Sequence, residues 1–173
     1  QVQQLNTFLN AYHRLTHLPD PVKSKVKICT LFDKLNRLLN SEPGSENVRY
    51  ISSENVEIPL DPNLITLALI NLIRNALQAT VNNPQPEIKV EAEKGAACSF
   101  IQVTDNGDGI PQDRLDDIFT PFYSTKKEGS GIGLPLSRRI MQLHGGELTV
   151  NSEPGEKTVF SMTFPAHLQT SFS

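Results

Sequence analysis

The stretch "LITLALINLIRNALQA", residues 64–79, is apolar on nearly every side and holds no glycine or proline. It is too long for one strand, so it predicts a helix buried on more than one face. Asp61-Pro62 supplies the start, an acidic N-cap followed by a proline that loses no needed donor, and the helix is expected to run to about Val81. Two polar residues interrupt it. Asn71 and Asn75 stand at i and i+4, which stacks their carboxamides on one face. A buried amide without a partner costs a few kcal/mol, on the order of 2–7. Either the pair is satisfied in a core network, or its carbonyl oxygens ligate a hard cation. Magnesium suits the second case, because it takes one or two protein oxygens together with waters and nucleotide phosphates.

A helix buried on several sides needs a sheet beneath it, and the flanking sequence offers one. "PEIKVEAE" (86–93) and "CSFIQVTD" (98–105) alternate as a strand pair, and "VRYIS" (48–52) and "NVEIP" (55–59) read as short strands joined by a turn. "GELTVNSEPGEKTVFSMTFP" (146–165) predicts a hairpin turning at Pro154-Gly155. A short helix is expected near 112–117. Another should start at Pro135, bury Leu136, Ile140 and Leu143, and end at Gly145-Gly146 with His144 at its C-terminal dipole. The expected fold is α+β, a mixed sheet with helices on one face.

The N-terminal part has a different character. "QVQQLNTFLNAYHRL" (1–15) carries Val2, Leu5, Leu9 and Tyr12 at helical spacing without a capping start, and reads as the tail of a longer helix. "LPDP" (18–21) breaks it. A second helix, 29–40, runs through Leu31, Phe32, Leu35, Leu38 and Leu39, and "SEPGSEN" (41–47) reads as a linker. The expected division is therefore a helical segment 1–42 and a main domain 43–173. Composition limits the function classes. At 173 residues, 38% hydrophobic and 20% charged, the chain is an ordinary globular one. Its net charge of -3 argues against a nucleic-acid partner. Cys29 and Cys98 lack metal-ligand spacing and suit a reducing, cytoplasmic setting.

Two glycine motifs join the asparagine pair. In "VTDNGDGIP" (103–111), Asp105 ends a strand and Gly107 and Gly109 follow; alone this is a hairpin turn, but the carboxylate could accept from an adenine amino group. In "KKEGSGIGLPLSRRI" (126–140), Gly129, Gly131 and Gly133 precede a helix start, with Lys126 and Lys127 adjacent. Glycine lets backbone approach an anion, and the first helical turn offers unpaired N–H groups to phosphate.

Taken together, "NLIRNALQA", "DNGDGIP", "IFTPFYSTK", "GSGIGLPLSRRI" and "SEPGEKTVF" resemble the N, G1, F, G2 and last glycine boxes of the catalytic domain of two-component sensor histidine kinases, in the GHKL superfamily. The F and G2 wording is nearest the nitrogen-regulation type. The resemblance spans about residues 25–165 and implies a two-layer α/β sandwich, the Bergerat ATP-binding fold, with ATP and Mg²⁺ as ligands. By the same resemblance Asn75 would ligate the metal with Asn71 beside it, and Asp105 would recognise adenine over Gly107 and Gly109. Lys126 would reach the phosphates from a lid, cradled with Gly129, Gly131, Gly133 and Leu134. It also implies a dimerisation and phosphoacceptor domain and a response regulator receiver domain as partners, with the full-length protein a homodimer. The phosphoacceptor stretch itself is not among these residues: His13 and His17, in "YHRLTHLP", lack its neighbouring acid. Two departures from the family pattern stand out, Leu67 where Gln or Glu is common and Lys157 where glycine is common. ATPases of the gyrase, mismatch-repair and chaperone kind place Glu at the position of Asn71 to activate water. An amide cannot take that proton, so the kinase reading is favoured over hydrolysis. An anti-sigma serine kinase shares the fold, but the helical segment before residue 42 favours the histidine kinase.

Overall fold

A computed structural model describes residues 16–123 and 131–166. The order of elements is strand β1 (Ser24–Lys27), helix α1 (Ile28–Leu39), strands β2 (Val48–Ser52) and β3 (Glu57–Leu60), helix α2 (Pro62–Ala79), strands β4 (Ile88–Lys94) and β5 (Cys98–Asp105), helix α3 (Gly133–Leu143), and strands β6 (Glu147–Glu153) and β7 (Lys157–Pro165). Five strands form one sheet in the order β2-β4-β5-β7-β6, and β1 and β3 form a separate antiparallel pair. Only β2 with β4 is parallel within the large sheet. The expected mixed sheet with helices on one face is what the chain adopts.

Alternation explains the layering. Along β4, β5 and β7 every second residue is buried, among them Ile88, Val90, Ile101, Val103, Phe160 and Met162, and these join the helices in one core. The opposite face is polar, with Gln102 Nε2 donating to Ser161 Oγ at 2.9 Å. Helix α2 lies at the centre of the helical layer and buries nine residues, from Leu64 to Leu77. Truncating one of its fully buried leucines, such as Leu69 or Leu72, would cost about 2–5 kcal/mol.

Asp61 starts α2 as expected, its Oδ1 accepting from the N–H groups of Asn63 (2.9 Å) and Leu64 (3.1 Å). The helix stops at Ala79, where the Thr80 hydroxyl turns back onto the Ala76 carbonyl at 3.0 Å.

The structure corrects several details. "VRYIS" and "NVEIP" do form strands, but they do not pair: β2 joins β4 and β3 joins β1. The short helix at 112–117 is two 3₁₀ turns, Gln112–Arg114 and Asp117–Phe119. Helix α3 begins two residues before Pro135, at Gly133. Helix α1, expected within the N-terminal segment, buries Ile28, Leu31, Phe32, Leu35 and Leu39 in the same core as α2. The helix expected over 1–15 lies outside the described residues, as does His13.

Candidate functional site

Helix α2 carries the asparagines at its middle. Asn71 is half-buried, and its Nδ2 donates to the Gly133 carbonyl (3.3 Å) and to Ser137 Oγ (3.4 Å) at the start of α3. A Cβ built on Gly133 would sit 3.5 Å from the Asn71 side chain. With its nitrogen held by α3, the amide turns its oxygen away from those two acceptors. Ser137 is fully buried and donates to Gly133 O at 2.8 Å, which fixes the first turn of α3 against α2. One turn on, Asn75 is also half-buried, and among the described residues none hydrogen-bonds its carboxamide.

The next turn brings Ala79, and here the D-x-G-x-G loop arrives. Asp105 is 3% exposed, and its Oδ1 accepts from the Gly107 N–H at 2.9 Å. Gly107 lies against the last turn of α2: a Cβ there would fall 2.5 Å from the Ala79 carbonyl oxygen. Asp108 N–H reaches that same carbonyl at 3.3 Å. Gly109 has φ +72°, and a Cβ on it would lie 2.7 Å from both Glu153 O and Pro154 Cα in the β6–β7 turn. Only glycine meets both conditions. The turn also donates back, from Gly155 N–H to Asp108 O at 2.8 Å.

The two glycine segments therefore bracket the asparagine pair along α2. Gly133 touches it at Asn71 and Gly107 at Ala79, with Asn75 between. At 1.5 Å per residue, those contacts are about 12 Å apart along the axis. At the helix start the first i→i−4 bond among the described residues runs from Leu136 N–H to Ile132 O (2.9 Å), with the N–H groups of Gly133 and Leu134 ahead of it. Gly131 has φ +65° and its carbonyl accepts from Phe122 N–H at 2.9 Å. Arg138 stacks its guanidinium 4.6 Å from the centroid of the Phe119 ring, which ties the segment before Phe122 to α3. Lys126, Lys127 and Gly129 lie outside the described residues.

Several supporting residues escaped the sequence reading. Ser152 is 1% exposed; its hydroxyl accepts from Ile110 N–H (2.8 Å) and contacts Lys157 O (3.1 Å), so β6 anchors the end of the glycine loop. Its signal was a polar residue at an inward position of β6. Asn106 braces the other side, accepting from Glu87 N–H (2.8 Å) and donating to Gln85 O (2.9 Å). An open hollow of about 670 Å³, lined by Arg49, Gln85, Glu87 and Asn106 among others, contains none of the candidate residues. Among the described residues there is no cluster of three or more His, Cys, Asp or Glu that could hold a metal.

Residues 60–168 match the family described as histidine kinase-, DNA gyrase B- and HSP90-like ATPase. The chain is 36% identical over 146 residues to the sensor histidine kinase ZraS of Escherichia coli strain K12, which covers 83% of this chain and 31% of that protein. It is 34% identical over 139 residues to sporulation kinase C of Bacillus subtilis strain 168, covering 80% and 31%. The chain thus spans about a third of the length of these relatives. Among solved structures, the nucleotide-free catalytic domain of histidine kinase ThkA superposes with a TM-score of 0.71 at 26% identity, covering 83% of this chain and 95% of that one. The family match, residues 60–168, spans the asparagine pair and both glycine segments. The chain belongs to the family of histidine kinase-, DNA gyrase B- and HSP90-like ATPases, as a catalytic domain of the histidine kinase type.

Proposed function

We propose that this domain holds Mg-ATP in the groove between its two glycine segments and presents the γ-phosphate to a histidine on a separate dimerisation domain, for relay to a response regulator. The observation that carries the reading is the order along α2: glycine helix start at Asn71, then Asn75, whose carboxamide has no hydrogen-bond partner among the described residues, then the glycine loop at Ala79. The roughly 12 Å between these contacts along α2 suits a nucleotide lying with its base toward Asp105 and its phosphates toward Gly133. The half-buried Asn75 oxygen fits a magnesium ion shared with the phosphates, and that ion would offset phosphate charge. Asn71 would orient beside it, held by Gly133 and Ser137. Lys126, Gly129, Gly131 and Leu134 would complete the phosphate side.

Phosphoryl transfer depends mainly on positioning and charge stabilisation, so the acceptor must be held in line with the γ-phosphate. Nothing at Asn71 can act as a base for water, which supports transfer to a histidine over hydrolysis. The full-length protein would work as a homodimer with its catalytic domain on the cytoplasmic side, where ATP is available; among the described residues no helix is long and apolar enough to cross a membrane. The test is incubation of this chain with γ-labelled ATP and magnesium, alone and with the dimerisation helices of its own kinase. Nucleotide should bind in both cases, with acid-labile label appearing only on the added helices. Rapid hydrolysis by this chain alone, or acid-labile label on His13 or His17, would overturn the reading.

A further inference from the structure

His144 sits at the opposite end of α3 from the glycine segment and is 4% exposed. Its two ring nitrogens are committed in opposite senses. The backbone N–H of Asp61 donates to Nε2 at 3.0 Å, so that nitrogen carries a lone pair. Nδ1 carries the proton and donates to the Ile140 carbonyl at 2.8 Å. The ring is therefore neutral, and it packs edge-on to Phe164 with centroids 6.4 Å apart. Asp61, which supplies that N–H, is also the N-cap of α2, and its Oδ2 accepts from Val22 N–H at 2.9 Å. Lys23 Nζ donates to the His144 carbonyl at 2.8 Å.

Helices α2 and α3 run antiparallel, and polar contacts form rungs between them. Asp61 N–H meets His144, Ala68 O accepts from Ser137 Oγ (3.4 Å), and Asn71 meets Gly133 (3.3 Å). From Asp61 to Ala68, and from His144 back to Ser137, the chain advances seven residues on each helix, close to two turns. The rungs thus fix how far α3 is slid along α2. That sliding decides where Gly133 and its open N–H groups stand relative to Asn71 and Asn75.

We propose that His144, as the neutral Nδ1–H tautomer, is a positioning residue for nucleotide binding: it locks the axial register of α3 on α2 from the end remote from the site. The proposal rests on the ATP-site reading above. A proton added to Nε2 would set two donors, ring N–H and Asp61 N–H, against each other and open the terminal rung. Among the described residues the charged groups acting on the ring are Asp61, at the start of α2, and Lys23, from the N-terminal segment; β7 presents the Phe164 ring. Burial is the main influence and holds the His144 pKa below its ordinary 6.5; Lys23 acts in the same direction, whereas the Ile140 carbonyl and Asp61 oppose it. Since the folded pKa lies below the unfolded one, the neutral ring's contribution is complete above pH 6.5 and is lost as pH falls toward the folded value.

The experiment is calorimetric titration of this chain with Mg-ADP between pH 5.5 and 8, for the wild type, His144→Gln and His144→Leu. Glutamine keeps an amide oxygen for the Asp61 N–H but does not titrate, so its profile carries only the titration of the nucleotide and of other groups. Relative to it, wild-type affinity should match above pH 7 and fall as the pH drops below 6.5 toward the lowered folded value. His144→Leu leaves the Asp61 N–H without an acceptor and should bind about tenfold more weakly at every pH. If the leucine variant does not fold, the wild type and His144→Gln decide the matter alone. Coincident wild-type and glutamine profiles across the range would overturn the proposal. So would a folded leucine variant with wild-type affinity. A wild type that binds no Mg-ADP at pH 7.5 would refute the nucleotide-site reading instead.

Discussion

Alanine placed at Gly107, Gly109 and Gly155 in turn separates steric crowding from backbone strain in the loops around the groove. At Gly155, φ is +77° and nothing stands within 4 Å of the added carbon, so only the left-handed backbone is penalised, by about 1–2 kcal/mol. At Gly107 the added carbon would fall 2.5–2.7 Å from the backbone and Cβ of Ala79. The loop must then lift from α2, at about 1–3 kcal/mol for overpacking. Gly109 combines φ +72° with contacts of 2.7 Å to Glu153 and Pro154, so its cost should approach the sum, about 2–5 kcal/mol. For a chain of this size each kcal/mol lowers the melting temperature by about 2–4 °C. Thermal unfolding should therefore place Gly109→Ala as the least stable of the three. Calorimetry adds a second axis: Gly107→Ala and Gly109→Ala displace the loop that follows Asp105 and should bind Mg-ADP at least about tenfold more weakly, whereas Gly155→Ala should bind within about twofold of the wild type. A Gly107→Ala protein with wild-type melting and wild-type affinity would refute the claim that this loop is seated on the end of α2.

The remaining predictions concern the ligand. Asn75→Ala should lose much more nucleotide affinity in magnesium than in chelator, because the missing oxygen is the proposed cation ligand; equal losses would make Asn75 structural. ATP and ADP should bind better than GTP, since guanine sets a carbonyl acceptor against the Asp105 carboxylate where adenine offers an amino donor, at about 1–3 kcal/mol. Equal ATP and GTP affinity in competition titrations would remove Asp105 from base recognition.

What could be read in the sequence was whatever depends on period and local chemistry. Helix α2 has its cap and its apolar run side by side, and β4–β5 and β6–β7 are alternating segments joined by short turns, so their pairing follows from proximity. Strand β1 was invisible because "SKVK" offers one β-branched residue among lysines, and its partner Glu57–Leu60 lies beyond α1. Nothing local tells "VRYIS" and "NVEIP" to part into different sheets, since each finds its partner through the packing of the whole. The same limit applies to the site. The asparagines and glycines announced themselves by spacing, but Ser137 and Ser152 act through contacts remote in sequence. For His144 the sequence indicated the helix end; its acceptor role toward Asp61, across a separation of 83 positions, needed the fold.

The strand order also sets a folding sequence. Strands β4 and β5, and β6 and β7, can zip up as local hairpins, whereas β5 must meet β7 across the intervening glycine loops and α3. Such high-separation pairings close large loops before they gain stabilising contacts, and they slow folding from the microsecond regime toward milliseconds or longer. Asp105 stands opposite Thr158 at the end of that late ladder, while Gly109 rests on the β6–β7 turn. The candidate site therefore assembles only when the least local pairing is complete. In a refolding reaction, recovery of nucleotide binding should trail the helical signal and report the last barrier, not the first collapse.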